Sequence, residues 1–159
     1  MSINARFTKE GDWERTPYHR FHWESIAERF AQDVTPDLEA VLKEECPKRP
    51  AWDHPERGAP GAMAASIDSE HETTADSLTI DFAAHTDYAG YVVHGTRPHG
   101  IDPRVKRWLH WVDPGGEHFA KHVDHPGATA DPFPDRVLEN ESRYIADKFA
   151  RAVQEQLKE

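Results

Sequence analysis

Pro47, Pro50, Pro55 and Pro60, with Gly58 among them, break regular structure between 47 and 60. A proline lacks the backbone N–H and clashes with the preceding turn, so neither a helix nor an inner strand runs through such a stretch. The chain is thereby divided into 1–46 and 61–159 around a loop. Upstream, Trp23, Ile26, Ala27, Phe30 and Val34 recur at three- and four-residue spacing. That spacing predicts a helix from Tyr18 to Val34 with these residues on one face. Thr35-Pro36 reads as an N-cap followed by a first-turn proline, restarting a helix whose apolar face is Leu38, Val41 and Leu42. Segment 1–46 is therefore expected to be helical.

Beyond the loop the period changes. Leu78, Ile80, Phe82 and Ala84 alternate with Thr79, Asp81 and Ala83, the pattern of a strand with one buried and one wet face. Met63, Ala65 and Ile67 alternate less cleanly and predict a first strand, with Thr73 to Asp76 supplying the turn. Tyr88, Tyr91 and Val92 share a face at helical spacing, with Asp87 as cap and Gly95 as terminator, although Tyr and Val also suit a strand. Residues 105–111 and 117–123 read as a hairpin around Asp113-Pro114-Gly115-Gly116. The stripe Leu138, Ile145, Phe149, Ala152 and Val153 predicts a last helix from Pro134 to Leu157. The sum is one α+β domain over 1–159. A small antiparallel sheet and short central helix (61–133) are flanked by the N-terminal helical segment and a long C-terminal helix (134–159).

The chain has 159 residues and a net charge of −10, from 29 Asp plus Glu against 19 Lys plus Arg. That length suits a single core, which would bury roughly 70% of the unfolded chain's surface. No apolar run approaches the roughly 20 residues that cross a bilayer, and no apolar stretch follows a basic one at the N-terminus. No membrane partner and no secretory leader are expected. The acidic balance disfavours a broad phosphate-gripping face. The charge is also unevenly placed. Asp68, Glu70, Glu72, Asp76, Asp81 and Asp87 lie between Arg57 and Arg97 with no cation among them, and Arg97, Arg104, Lys106 and Arg107 follow with only Asp102 opposing them. Unlike blocks on copies of one chain attract; the same residues also suit ordinary solvated surface.

Catalytic patterns are weak. Phosphate-loop, dinucleotide-binding, nucleophile-elbow and His-Glu-x-x-His motifs are missing from the sequence. Of 11 histidines, His118, His122 and His125 form the tightest cluster. On a strand, His118 and His122 stand about 13 Å apart at roughly 3.3 Å per residue, too far for one metal ion. No metal ligand, cofactor or catalytic residue is assigned. Cys46, the only cysteine, follows Glu44 and Glu45, a poor setting for a thiolate. Trp108, beside Arg104, Lys106 and His110, suits a subunit contact, stacking on single-stranded bases, or the edge of its own core.

From Gly61 onward the order of motifs resembles the tail-completion, or neck, proteins of long-tailed double-stranded DNA viruses, the minor tail component family. Gly61 to Ile67 is similar to the segment that opens the family's first strand. Tyr88-Ala89-Gly90-Tyr91-Val92 with Gly95-Thr96-Arg97-Pro98 resembles its most distinctive stretch. Leu109-His110-Trp111 with Gly115-Gly116 resembles its strand and glycine turn, and His125-Pro126-Gly127 with Pro132-Phe133 the segment before its last helix. The chain departs from the pattern at His94, Ala128 and Pro134, where the family usually has an acidic residue, Thr and Leu.

The resemblance implies a non-enzymatic virion protein that assembles as a ring, commonly hexameric. Such a ring joins the head-side connector to the tail tube or its terminator and lets DNA pass through its channel. The protein would be made in the host cytoplasm and end in the virion neck. Tyr88, Tyr91, Gly95, Thr96, Arg97, Trp108, His125, Pro126, Gly127, Pro132 and Phe133 are its candidate interface and motif residues. Under that reading the acidic block either lines the lumen and repels passing phosphates, or meets a neighbour's basic island. The competing readings are a small His-dependent metal-binding hydrolase and a single-stranded nucleic-acid-binding module.

Overall fold

In the computed structural model, residues 2–8, 22–48 and 61–158 are described; Ser2 to Ala5 are described for their backbone only. The expected loop lies outside these residues from Arg49 to Pro60, as does the expected helical start from Tyr18 to Phe21. The architecture is α+β, as expected, with helices on one face of a small antiparallel sheet.

The first element differs from expectation. Ser2–Thr8 is a strand, β1, inside the segment expected to be helical. A single helix, α1, then spans Trp23–Glu45 without the break expected at Thr35-Pro36. Pro36 sits inside it, and Thr35, far from capping a second helix, is buried with its hydroxyl unpartnered. Burial explains the continuity. Phe30, Val34, Leu38 and Leu42 fall at four-residue spacing and are each no more than 1% exposed, so their face stays on the core across the proline. That packing outweighs the intrahelical hydrogen bond that proline removes, a cost of about 3 kcal/mol.

Ala62–Ala65 is a turn of helix, α2, rather than the start of a strand. Alanine and methionine favour helix, and Met63 and Ile67 are buried together at a spacing of four, not two. Strands β2 (Ile67–Thr73) and β3 (Ser77–Ala84) follow, joined through the expected turn, where Thr74 N–H donates to Ser77 O at 2.7 Å. The sheet order is β1-β3-β2, all antiparallel. Leu78, Ile80, Phe82 and Ala84 of the central strand are buried towards α1, as their alternation predicts.

The short helix α3 covers Ala89–His94 and α4 covers Phe133–Asn140. The expected long last helix is interrupted at Glu141, after which α5 covers Ser142–Gln156. Its stripe of Ile145, Phe149 and Val153 packs on the core as expected. Phe30 lies at the centre, edge-on to Phe7 of β1 at 5.2 Å and to Phe149 of α5 at 5.4 Å. Trp23 Nε1 donates to Thr74 O at 3.0 Å, and the Tyr144 hydroxyl donates to Asp37, tying both helix layers to their neighbours.

Between α3 and α4 the chain leaves this body as a two-legged ribbon. β4 (His99–Ile101) pairs with β7 (Val123–His125), and β5 (Leu109–Asp113) pairs with β6 (Gly116–Ala120). The expected hairpin is thus real at its turn but shorter, and residues 105–108 lie outside the strand. Ile101 opposes Val123 and Leu109 opposes Ala120, so residues 102–108 bulge out against only Lys121 and His122. No residue from His94 to Pro132 is buried.

Candidate functional site

The residues singled out by sequence are drawn together mainly at the root of the ribbon. Thr96 and Ala128 form an isolated antiparallel bridge, with Thr96 N–H donating to Ala128 O at 2.9 Å. Ala128 N–H reaches the Thr96 backbone oxygen at 3.2 Å and its hydroxyl at 2.9 Å. One turn away Asp131 N–H donates to Val92 O at 2.9 Å.

Two glycines permit this approach. Gly95 has φ +69°, and a Cβ there would stand 2.5 Å from Ala128 O and 2.8 Å from Ala130 N. Gly127 has φ +87°, and its Cβ would overlap Thr96 O and stand 2.9 Å from the Arg97 carbonyl carbon. Each glycine therefore gives way to the other leg's backbone, and only glycine tolerates both the space and the left-handed dihedral. His125 Nδ1 accepts from Gly127 N–H at 3.0 Å, and its ring lies 5.1 Å from that of His99.

The remaining predicted residues divide. Phe133 is buried in the core at 1% exposure and anchors the outgoing leg; Pro132 beside it is exposed. Tyr88 is half-buried against the core, whereas Tyr91 is 64% exposed. The two tyrosines therefore do not share a face. The buried side of α3 is Ala89 and Val93, a spacing of four, and Tyr91 falls between them and points away. Nor does Asp87 cap the helix: Tyr88 holds that position and no side chain caps it. Arg97 and Pro126 are exposed on the legs.

Trp108 sits apart, at the bulge. It is 44% exposed, with Lys121 Nζ 5.0 Å from its ring centre. Arg104, Val105, Lys106 and Arg107 beside it are all exposed, Val105 almost fully. None of these three cations has an ion-pair partner among the described residues. Sequence reasoning missed Phe119, which is 63% exposed and stacks on His110 at 4.6 Å. Alternation fixes which strand residues share a face but not which face is wet, so no sequence signal marked it.

No protein-family model, curated protein or solved structure matches the chain.

The polar groups of the ribbon act as braces. His122 bridges Asp102 at 2.8 Å and Asp124 at 3.1 Å, and these carboxylates, Asp102 first, raise its pKa above the ordinary imidazole range. Asp113 receives His118 at 3.0 Å and Gly115 N–H at 2.7 Å, and these bonds, that from His118 foremost, hold its carboxyl below the usual range. The neighbours His118, His122 and His125 do not converge. Among the described residues no group of three His, Cys, Asp or Glu side chains is placed to hold one metal ion. Cys46 is buried, and desolvation, aided by the Asp131 charge, pushes its thiol up and away from a reactive thiolate.

The sheet face remote from α1 carries the opposite charge. Strand alternation places Asp68, Glu70 and Glu72 of β2 and Asp81 of β3 there. Glu70 and Asp81 are directly opposed across the strand pair, an arrangement that repels. With Ala83 and His85, Asp68, Glu70 and Asp81 surround an open concavity.

Proposed function

We propose that the protein is a non-enzymatic structural subunit of a tailed-virus neck. It assembles as a ring, hexameric as in the family it resembles, between the head-side connector and the tail tube or its terminator. DNA passes through that ring. The observation that carries this reading is the reciprocal glycine junction. Segments 88–99 and 125–133, which bear the most distinctive parts of the resemblance, meet at the Thr96–Ala128 bridge and act as one structural unit. What the unit supports is a ribbon with no buried residue, a form suited to completion by other subunits.

The test is genetic and structural. Removing the protein from a producing infection is expected to leave filled heads and separate tails. Particle imaging is expected to place a ring of it between connector and tube. Joined, infectious particles formed without the protein would overturn the reading.

A further inference from the structure

The ribbon and the open sheet face are each incomplete in a complementary way. A two-stranded ribbon is marginal in water unless a face packs on something, yet among the described elements β5 and β6 make their extensive contacts only with each other. Its bulge presents Arg104, Lys106 and Arg107 around Val105 and Trp108, with the cations unpaired among the described residues. The three-stranded sheet, in turn, is packed extensively by α1 alone among the described elements, and so on one face only. Its other face presents Asp68, Glu70, Glu72 and Asp81 against Arg6 of β1, which stands opposite Thr79, and the strand register holds Glu70 against Asp81. A cation placed over that pair relieves the repulsion. The concavity beside that pair is edged by Ala83 and by His85, whose Nε2 lies 2.9 Å from Asp68 Oδ1, so Glu70, Glu72 and Asp81 are the carboxylates left for a docked cation.

We propose that the 102–108 bulge of one copy docks on the acidic β2–β3 face of a second copy. The contact is heterologous: each subunit gives a bulge to one neighbour and a sheet face to the other, so repeated docking closes a ring or extends as a filament. The inference rests on the ring reading and names the two surfaces that would form it. It also assigns the acidic block to a subunit contact rather than to the channel wall.

Two charge reversals on the full chain test it, followed by sedimentation across a concentration series. One variant carries R104E, K106E and R107E; the other carries D68K, E70K and E72K, which turns the face net positive. Wild-type protein is expected to self-associate with an affinity that falls as salt rises. Each variant alone is expected to associate at least about tenfold more weakly, because like charges then meet across the contact. Mixed in equal amounts, the two variants are expected to recover association, since every contact then pairs opposite signs. The single change E70K is expected to raise the monomer's melting temperature while weakening association, a split that a purely structural role for Glu70 would not give.

Unchanged association in both variants would overturn the docking and leave the ring reading intact. A wild-type chain that stays monomeric throughout would also overturn the docking. Loss of binding to a single-stranded oligonucleotide in the R104E, K106E and R107E variant, with association unaffected, would overturn it in favour of nucleic acid. Recovery in the mixture, with joined particles forming without the protein, would retain the docking and overturn the neck.

Discussion

From Trp23 to Val93 the described body buries Phe30, Val34, Leu38, Leu78, Ile80 and Phe82 to 1% exposure or less, whereas from His94 to Pro132 nothing is buried. The body is held by apolar packing between α1 and the sheet. The ribbon is held by backbone ladders, glycine close approach, ring stacking and His–carboxylate pairs. Those devices fix a shape without removing much apolar surface from water, so they specify geometry more than they stabilise it. The two regions therefore divide the work: one makes the fold, and the other holds a surface ready at its margin.

The largest expected effect lies in the body. Phe30→Ala or Phe82→Ala is expected to cost about 3–5 kcal/mol, from lost burial plus the cavity left behind, measured by urea unfolding. Loss of that size would melt both regions together, because Phe133 anchors the ribbon in the same core.

Next comes the junction. Gly127→Ala is expected to cost about 2 kcal/mol or more, because a Cβ overlaps Thr96 O and the dihedral is left-handed. Its damage is expected to be local. Amide resonances of the ribbon should broaden or shift while those of β2, β3 and α1 hold; equal loss in both regions would erase the proposed division.

The pH responses are expected to differ in sign. Glu28 is lowered by Gln32 and then His71, Asp37 by Tyr144, and Glu39 by Lys43 and then Ser69. A depressed carboxyl stabilises the body above its ordinary range, and this is lost as pH falls through the lowered folded values. His122 is raised above 6.5 by Asp102 and Asp124. Its contribution to the ribbon is complete below that value and is lost as pH rises through the raised one. Titration followed residue by residue by NMR checks both. An His122 pKa at or below the ordinary value would remove the brace from the account.

The smallest effect is expected at Phe119. Because its ring is largely exposed, Phe119→Ala is expected to change monomer stability by less than about 0.5 kcal/mol in the same urea measurement. A cost near that of Phe30→Ala would mean that the ribbon has an apolar core of its own.

The elements legible in the sequence were those whose own periodicity decides their burial. The Leu78–Ala84 alternation, the α1 stripe and the Ile145–Phe149–Val153 stripe needed no knowledge of their partners. Three others depended on partners. β1 alternates Ile3, Ala5 and Phe7 with Asn4 and Arg6, a strand signal in the sequence that the helical reading of 1–46 overlooks and that pairing with β3 fixes in the sheet. Thr35-Pro36 carries the local signal of a break, because propensity cannot register that its flanking turns are both held to one core. β4 and β7 have three residues each, too few for any period, and exist only through each other. At the candidate site, the glycine pair was marked by motif but its reciprocity was not, since close approach of two backbones leaves no trace in spacing. The acidic block was visible as a charge count. Its concentration on one sheet face became apparent only with the register that sets Glu70 against Asp81.

Amide hydrogen exchange across a dilution series tests the division between body and ribbon most directly. The account predicts that concentrating the protein slows exchange at 99–125 and along β2 and β3, leaving the centre of α1 unchanged. A ribbon already protected as strongly as α1 in the dilute monomer, or one whose exchange is indifferent to concentration, would contradict it.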